Sequence, residues 1–391
     1  MTELAIGLIT SLFSFSCGLL YQKARVMVVS RRTSEEARRI GEERHPSFTM
    51  KWLVEYYFRR DLMHELLLVE TDRRRNFIPF LTKNSWKVDE ADESGLLDQC
   101  VPHPLSDAPL KENVLHRRGK YLEGVSGGPE EWNDLLACAE RIEETPNGPR
   151  IKVHLAEYFQ YLSSCGSLED ETYDAIRRPG RKTPIRDEAL SSIAAASQNP
   201  LGAHGLGMQV ALVYGDAAEY KILVQRRSNS VALYGGALAV VPVFGCQTLD
   251  ITAQTHLSFF HNFLRETYEE LYGGTEVERR GPQVDPTWFY SKPPVARLLD
   301  YHASGILSFR ILGFGIDALN GEVNVAALAL ITDSAVAARE IREMRVNWEV
   351  QQISAWHLFG EELDVGLTRG DFSPGSAYAI ARAREYLAGR R

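Results

Sequence analysis

The chain has 391 residues, is 44% hydrophobic and 25% charged, and carries a formal net charge of −8. That balance suits a globular protein with a sizeable core, leaves length enough for two domains, and argues against a general nucleic-acid binder. The five cysteines, Cys17, Cys100, Cys138, Cys165 and Cys246, are odd in number, widely spaced and without Cys-x-x-Cys. A disulfide framework and a zinc site are both disfavoured, and a reducing compartment fits.

Residues 4–22 contain no charge and are rich in Leu, Ile, Phe, Ala, Gly and Ser. The stretch is long enough to cross a bilayer as a helix. Only Glu3 precedes it among charged residues, whereas Lys23, Arg25, Arg31 and Arg32 follow, so the positive-inside bias puts the rest of the chain in the cytoplasm. A single-pass anchor over residues 1–23 is expected, at the cell membrane. The alternative is a buried helix of a soluble fold, helped by Thr10, Ser11, Ser14 and Ser16.

Residues 24–200 read as a mostly helical region of unknown function. Thr33-Ser34-Glu35-Glu36 looks like a helix start. Residues 48–70 place Leu, Tyr and Phe at helical spacing, and Arg73, Arg74 and Arg75 precede the apolar run 77–81. The arginines suit either anionic lipid or a solvated helix end. A helix is predicted over 130–144, with Pro129 at its first turn, and another over 151–162, with Ile151, Leu155, Tyr158, Phe159 and Leu162 inward. Residues 177–186, rich in Arg and Pro, read as a linker.

Strands alternate with helices from residue 201 onward. Strands are predicted over 207–214, 220–227 and 237–244, the second ending in Gln225-Arg226-Arg227 and the third following Gly235-Gly236. The helix 260–274 comes next. Leu257, Phe260, Leu264, Tyr268 and Leu271 form an apolar stripe, and Arg265, Glu266, Glu269 and Glu270 are expected on the opposite face. Such a carboxylate patch suits either plain solvation or a hard divalent cation bridging substrate phosphates. Trp288, Phe289 and Tyr290 follow, to stack on a base or to close the core. Two apolar strands, 306–316 and 323–332, flank Asn320-Gly321, a strong hairpin signal. A helix over 334–344 capped by Ser334, a strand over 350–356 and a helix over 373–387 complete a mixed sheet between helices, an α/β sandwich.

Arg265-Glu266-x-x-Glu269-Glu270, behind the Gln-Arg-Arg strand and the double glycine, resembles the core of the Nudix box. Residues 201–391 therefore resemble a Nudix hydrolase domain. The match is incomplete. Leu257 stands at the upstream Glu position, Ile251 at the upstream Gly, Thr267 at the aliphatic position, and Gly273 comes one place late. An insertion within 244–255 would account for the spacing, with Asp250 a candidate replacement for the missing Glu. The resemblance implies Mg²⁺ or Mn²⁺ held by Glu269 and Glu270, with Glu266 as base or further ligand and Arg265 holding the carboxylates. It implies phosphate contacts from Arg226 or Arg227, and Gly235 and Gly236 admitting the ligand closely. The expected activity is cleavage of a diphosphate bond in a nucleoside diphosphate derivative. The alternatives are a Nudix-like domain that binds a nucleotide-type ligand without cleaving it, as a sensor or regulator, or a membrane scaffold.

Overall fold

The computed structural model describes residues 46–71, 74–90, 96–97, 135–199, 201–228, 233–247, 257–274, 287–347 and 350–390. The expected membrane segment 4–22 lies outside the described residues, as do Asp250 and Arg73. No helix among the described residues is long and apolar enough to cross a membrane.

The N-terminal part opens with α1 (Pro46–Phe58), β1 (Leu66–Glu70), β2 (Arg75–Leu81) and β3 (Lys87–Glu90). Then come β4 (Leu135–Thr145), β5 (Gly148–Glu157), α2 (Tyr158–Arg177), α3 (Pro184–Ala189) and α4 (Ile193–Ala196). The expectation of a mostly helical stretch is corrected here. The described part of 130–144 is strand, and the helix predicted over 151–162 begins only at Tyr158. Ile151, Val153 and Leu155 are all buried, so these residues alternate about a sheet. Ile151 and Leu155 alone fit both periods. The Ala and Glu of 135–145 favour helix locally, but pairing with β5 overrides that weak preference.

The second half runs β6 (His204–Asp216), β7 (Glu219–Arg227), β8 (Leu238–Val240), β9 (Val243–Gly245) and α5 (Phe259–Glu266). It continues with α6 (Pro293–Ala303), β10 (Leu307–Asp317), β11 (Val323–Ile331), α7 (Ser334–Glu343), β12 (Val350–His357), α8 (Glu361–Arg369) and α9 (Pro374–Ala388). The strand predicted over 237–244 is split into β8 and β9 at the cis Val241–Pro242 bond. Helix α7 is capped by Asp333 rather than Ser334, its carboxylate accepting from Ala335 N and Val336 N. Helix α8 has no counterpart among the predicted elements.

One mixed sheet carries all of this. Its main path is β1-β2-β10-β11-β6-β4-β5. Strands β11 and β6 are parallel from Val323–Leu206 to Ile331–Tyr214. Strand β6 then forks, pairing β7 near its end, β9 at Gly207–Gln209 and β4 at its start. Through β2 against β10 and β4 against β6, the N-terminal strands extend the same sheet.

Both sheet faces are covered, which is why the central strands are mostly apolar on both sides. Met208, Val210 and Leu212 of β6 and Val325 and Ala327 of β11 face one core, with Phe259, Phe263 and Leu298. Ala211, Val213, Ala326 and Leu328 face the other, with Leu363, Tyr378 and Ile380 of α8 and α9. A fully buried side chain of this size contributes about 1.5–3 kcal/mol.

The expected linker 177–186 holds the N-terminal helices to the sheet. Arg186 is fully buried and donates to Ala318 O, to Leu319 O at 2.7 Å and to Thr172 Oγ1 at 2.5 Å. It thus fastens α3 and α2 to the turn between β10 and β11.

Candidate functional site

The Arg-Glu-x-x-Glu-Glu segment begins in α5. Ser258 caps the helix, its Oγ accepting from His261 N at 3.2 Å. Buried Asn262 accepts from Gln247 N and donates to Gln247 O, both at 3.0 Å, tying the chain after β9 to the helix. After Glu266 the helix widens into a π turn, Thr267–Leu271. One extra residue in that turn rotates Glu269 and Glu270 away from the positions a regular helix would give them. Arg345 N and Asn347 N donate to Leu271 O and Glu270 O and close over the turn. Tyr272 OH is fixed by Glu340 at 2.7 Å.

The face expected opposite the apolar stripe is itself largely covered. Arg265, Glu269 and Glu270 are 4%, 7% and 2% exposed. Arg265 pairs with Glu266 at contact distance and with Glu269 at 3.4 Å. Burial alone would lower the Arg265 pKa, but the carboxylates of Glu266 and Glu269 outweigh it and raise it. The arginine is thus paired with both carboxylates inside the fold.

The donor set can be tested against Mg²⁺ or Mn²⁺. A hard cation needs several carboxylate oxygens converging on one point. Here Glu266 and Glu269 are drawn to one guanidinium, and the upstream position is occupied by Leu257, 4% exposed. Among the described residues no three His, Cys, Asp or Glu side chains converge to hold a metal ion. Among the described residues these side chains do not by themselves assemble a site for the expected cation.

A cleft of about 480 Å³ opens beside the helix. Of the box residues only Glu266 borders it, and of the expected phosphate contacts only Arg227. Arg226 is exposed and donates instead to Gly236 O at 2.8 Å. Gly235 and Gly236 form the turn before β8 and do not border the cleft; Gly236 has a left-handed φ of 78°. Phe289 is buried in the core, and Tyr290 OH bonds His261 Nδ1 at 2.8 Å, so this trio closes the core rather than a base pocket.

Much of the cleft wall comes from residues with no motif around them. Tyr158, Tyr161, Cys165, Glu169 and Asp170 of α2 form one side. Tyr234, Asp317, Glu322, Asn324 and Gln209 form the floor and far wall. Tyr234 adopts a left-handed φ of 52°, unusual for a bulky residue, and donates to both Asp317 oxygens at 2.8 and 2.9 Å. Burial raises the Asp317 pKa to about 6, although Leu319 N and Tyr234 oppose the shift. Burial, with the Asp317 charge adding, raises Glu322 to about 7. A polar chain runs behind them, from Ser376 to Gln209 at 2.8 Å and from Gln209 to Asn324 at 2.9 Å. In sequence, Asp317 and Glu322 are merely the charges flanking a hairpin turn, and only the fold brings α2 over them.

Strands β6 to β9 precede α5, with its Arg-Glu-x-x-Glu-Glu segment, and strands β10 to β12 follow it. Solved Nudix structures are similar to this chain. The NUDIX domain of NrtR from Shewanella oneidensis, solved with ADP ribose, is 18% identical over 47% of this chain and 89% of its own, with a TM-score of 0.28. The Nudix hydrolase RenU from M. smegmatis is 14% identical over 48% and 88%, with a TM-score of 0.27. A C. elegans Ap4A hydrolase is 11% identical over 47% and 98%, with a TM-score of 0.25. No family model matches the sequence, and no curated protein matches it.

Proposed function

We propose that this chain binds a nucleotide-type ligand in the cleft between the Nudix-like sheet and α2, as a sensing or regulatory module that does not cleave it. The observation that carries the reading is the fate of the box. Glu269 and Glu270 are buried and do not border the cleft, and Glu266, which does, is paired with Arg265. The cleft nevertheless has ligand dimensions, tyrosine rings and a guanidinium at Arg227 for a phosphate. On sequence grounds, residues 4–22 would tether the module to a membrane with the cleft on the cytoplasmic side.

The cleaving alternative, hydrolysis of a diphosphate bond with a divalent metal, draws on the position of Glu266 at the cleft edge. Calorimetric titration of the full chain with ADP-ribose and nucleoside diphosphates, with and without Mg²⁺, separates the two, alongside an assay for released phosphate and nucleoside monophosphate. Metal-independent binding with no release is expected. Release that disappears in Glu266→Gln would replace this reading by the hydrolase.

A further inference from the structure

The charges around the cleft are unequal. Among the described residues, Glu169, Asp170, Glu266, Asp317 and Glu322 border it, with Arg227 the one Lys or Arg side chain. A polyphosphate meets repulsion over most of this wall, so the remainder of a nucleotide must present hydrogen-bond donors to it. Resting on the nucleotide reading above, we propose that the end formed by α2 and the β10–β11 turn is a guanine-reading site. Glu322 accepts the base's N1–H and N2 amine there, and Tyr161 supplies the ring against which the base lies.

Three observations single out these two residues. Asp317 is already a brace, with both oxygens accepting from Tyr234 and Oδ1 also from Leu319 N at 2.8 Å. The amides of Gln209 and Asn324 are bonded to each other. Glu322 is held through its backbone, its N donating to Asn320 Oδ1 at 3.0 Å and its O accepting from Asn324 Nδ2 at 3.4 Å, and it borders the cleft.

The second observation is the floor beneath it. Gly205 and Gly207 are two apart on β6 and so share a face. A Cβ on Gly207 would stand 3.0 Å from Glu322 Oε1 and 2.8 Å from Asn324 Oδ1. A Cβ on Gly205 would stand 2.7 Å from the Tyr161 ring and 3.4 Å from Glu322 Oε1. The missing side chains let the carboxylate and the aromatic ring meet over one strand.

The third is chemical. A carboxylate offers two adjacent acceptors and no donor. Guanine presents two adjacent donors on its Watson–Crick edge, whereas adenine presents a donor beside an acceptor and hypoxanthine only one donor. Two parallel charge-assisted bonds are therefore available to guanine alone of the three.

The test is titration calorimetry on the full chain at pH 8, without added metal, using GDP, IDP and ADP. GDP should bind about tenfold or more tightly than IDP, with ADP weaker than GDP. Glu322→Gln, whose amide sets a donor against the base's donors, should cost GDP about tenfold or more and ADP less. Circular dichroism checks the fold, and Gly207→Ala, which crowds Glu322 without removing its charge, should weaken GDP in the same order. Equal affinity for the three nucleotides, or GDP binding untouched by both substitutions, overturns guanine reading and leaves nucleotide binding standing. No binding of GDP, IDP, ADP or ADP-ribose overturns both.

Discussion

Replacing Arg265 by Met distinguishes a buried ion cluster from an open metal site. The Arg265, Glu266 and Glu269 side chains are 4%, 13% and 10% exposed, so solvent screens them little. At the 3.4 Å separation of Arg265 and Glu269, two unit charges attract by about 5 kcal/mol at an effective dielectric near 20. Desolvation consumes much of that attraction in the intact cluster. Removing the guanidinium leaves two carboxylates without their counter-charge, a change that typically costs about 3–5 kcal/mol. That is a large part of the roughly 5–15 kcal/mol stability of a folded domain. Urea unfolding followed by tryptophan fluorescence reads the loss as a lower midpoint. The triple substitution Arg265→Met, Glu266→Gln and Glu269→Gln removes the stranded charges too and should recover a substantial part of it. Millimolar Mg²⁺ should leave the wild-type midpoint unchanged and raise that of Arg265→Met, whose carboxylates have lost their counter-ion. A loss under about 1 kcal/mol, or a wild-type midpoint raised by Mg²⁺, refutes the cluster.

Two further outcomes follow from buried groups outside the box. Glu322 faces Asp317 of β10, Arg227 of β7 and Tyr161 and Cys165 of α2, with the amides of Asn320 and Asn324, and its folded pKa is raised to about 7. The native state then keeps a proton that the unfolded chain has released, so this contribution to stability is present at low pH and lost as pH rises through 7. Glu322→Gln should therefore raise the urea midpoint relative to wild type more at pH 8 than at pH 5; the same difference at both would refute the shift. Arg186→Met should lower stability by about 3 kcal/mol or more, because the Ala318 and Leu319 carbonyls lose a buried donor. A midpoint within error of wild type would show that α3 does not brace the β10–β11 turn.

The sheet strands after residue 201 were legible because β-branched and apolar runs broken by Gly-Asp and Asn-Gly turns have few other ways to fold. The helix 260–274 was legible through its apolar stripe, but not the π turn. That turn depends on Arg345 and Asn347 docking from a segment far along the chain. The stretch 135–157 was misread because helical propensity is local, whereas pairing of β4 with β5 and β6 is not.

Along the chain, the main strands and helices of the second half can be read off directly, α8 and the break between β8 and β9 aside, as can the Arg-Glu-x-x-Glu-Glu segment. Those are set by periodicity and by short-range chemistry. Long-range packing is what buries Glu269 and Glu270, brings Arg227 but not Arg226 to the cleft, and lays Tyr161 of α2 beside Glu322. Each outcome depends on which face of an element another part of the chain covers. That is fixed by the combined burial of residues far apart along the chain, which no local pattern carries.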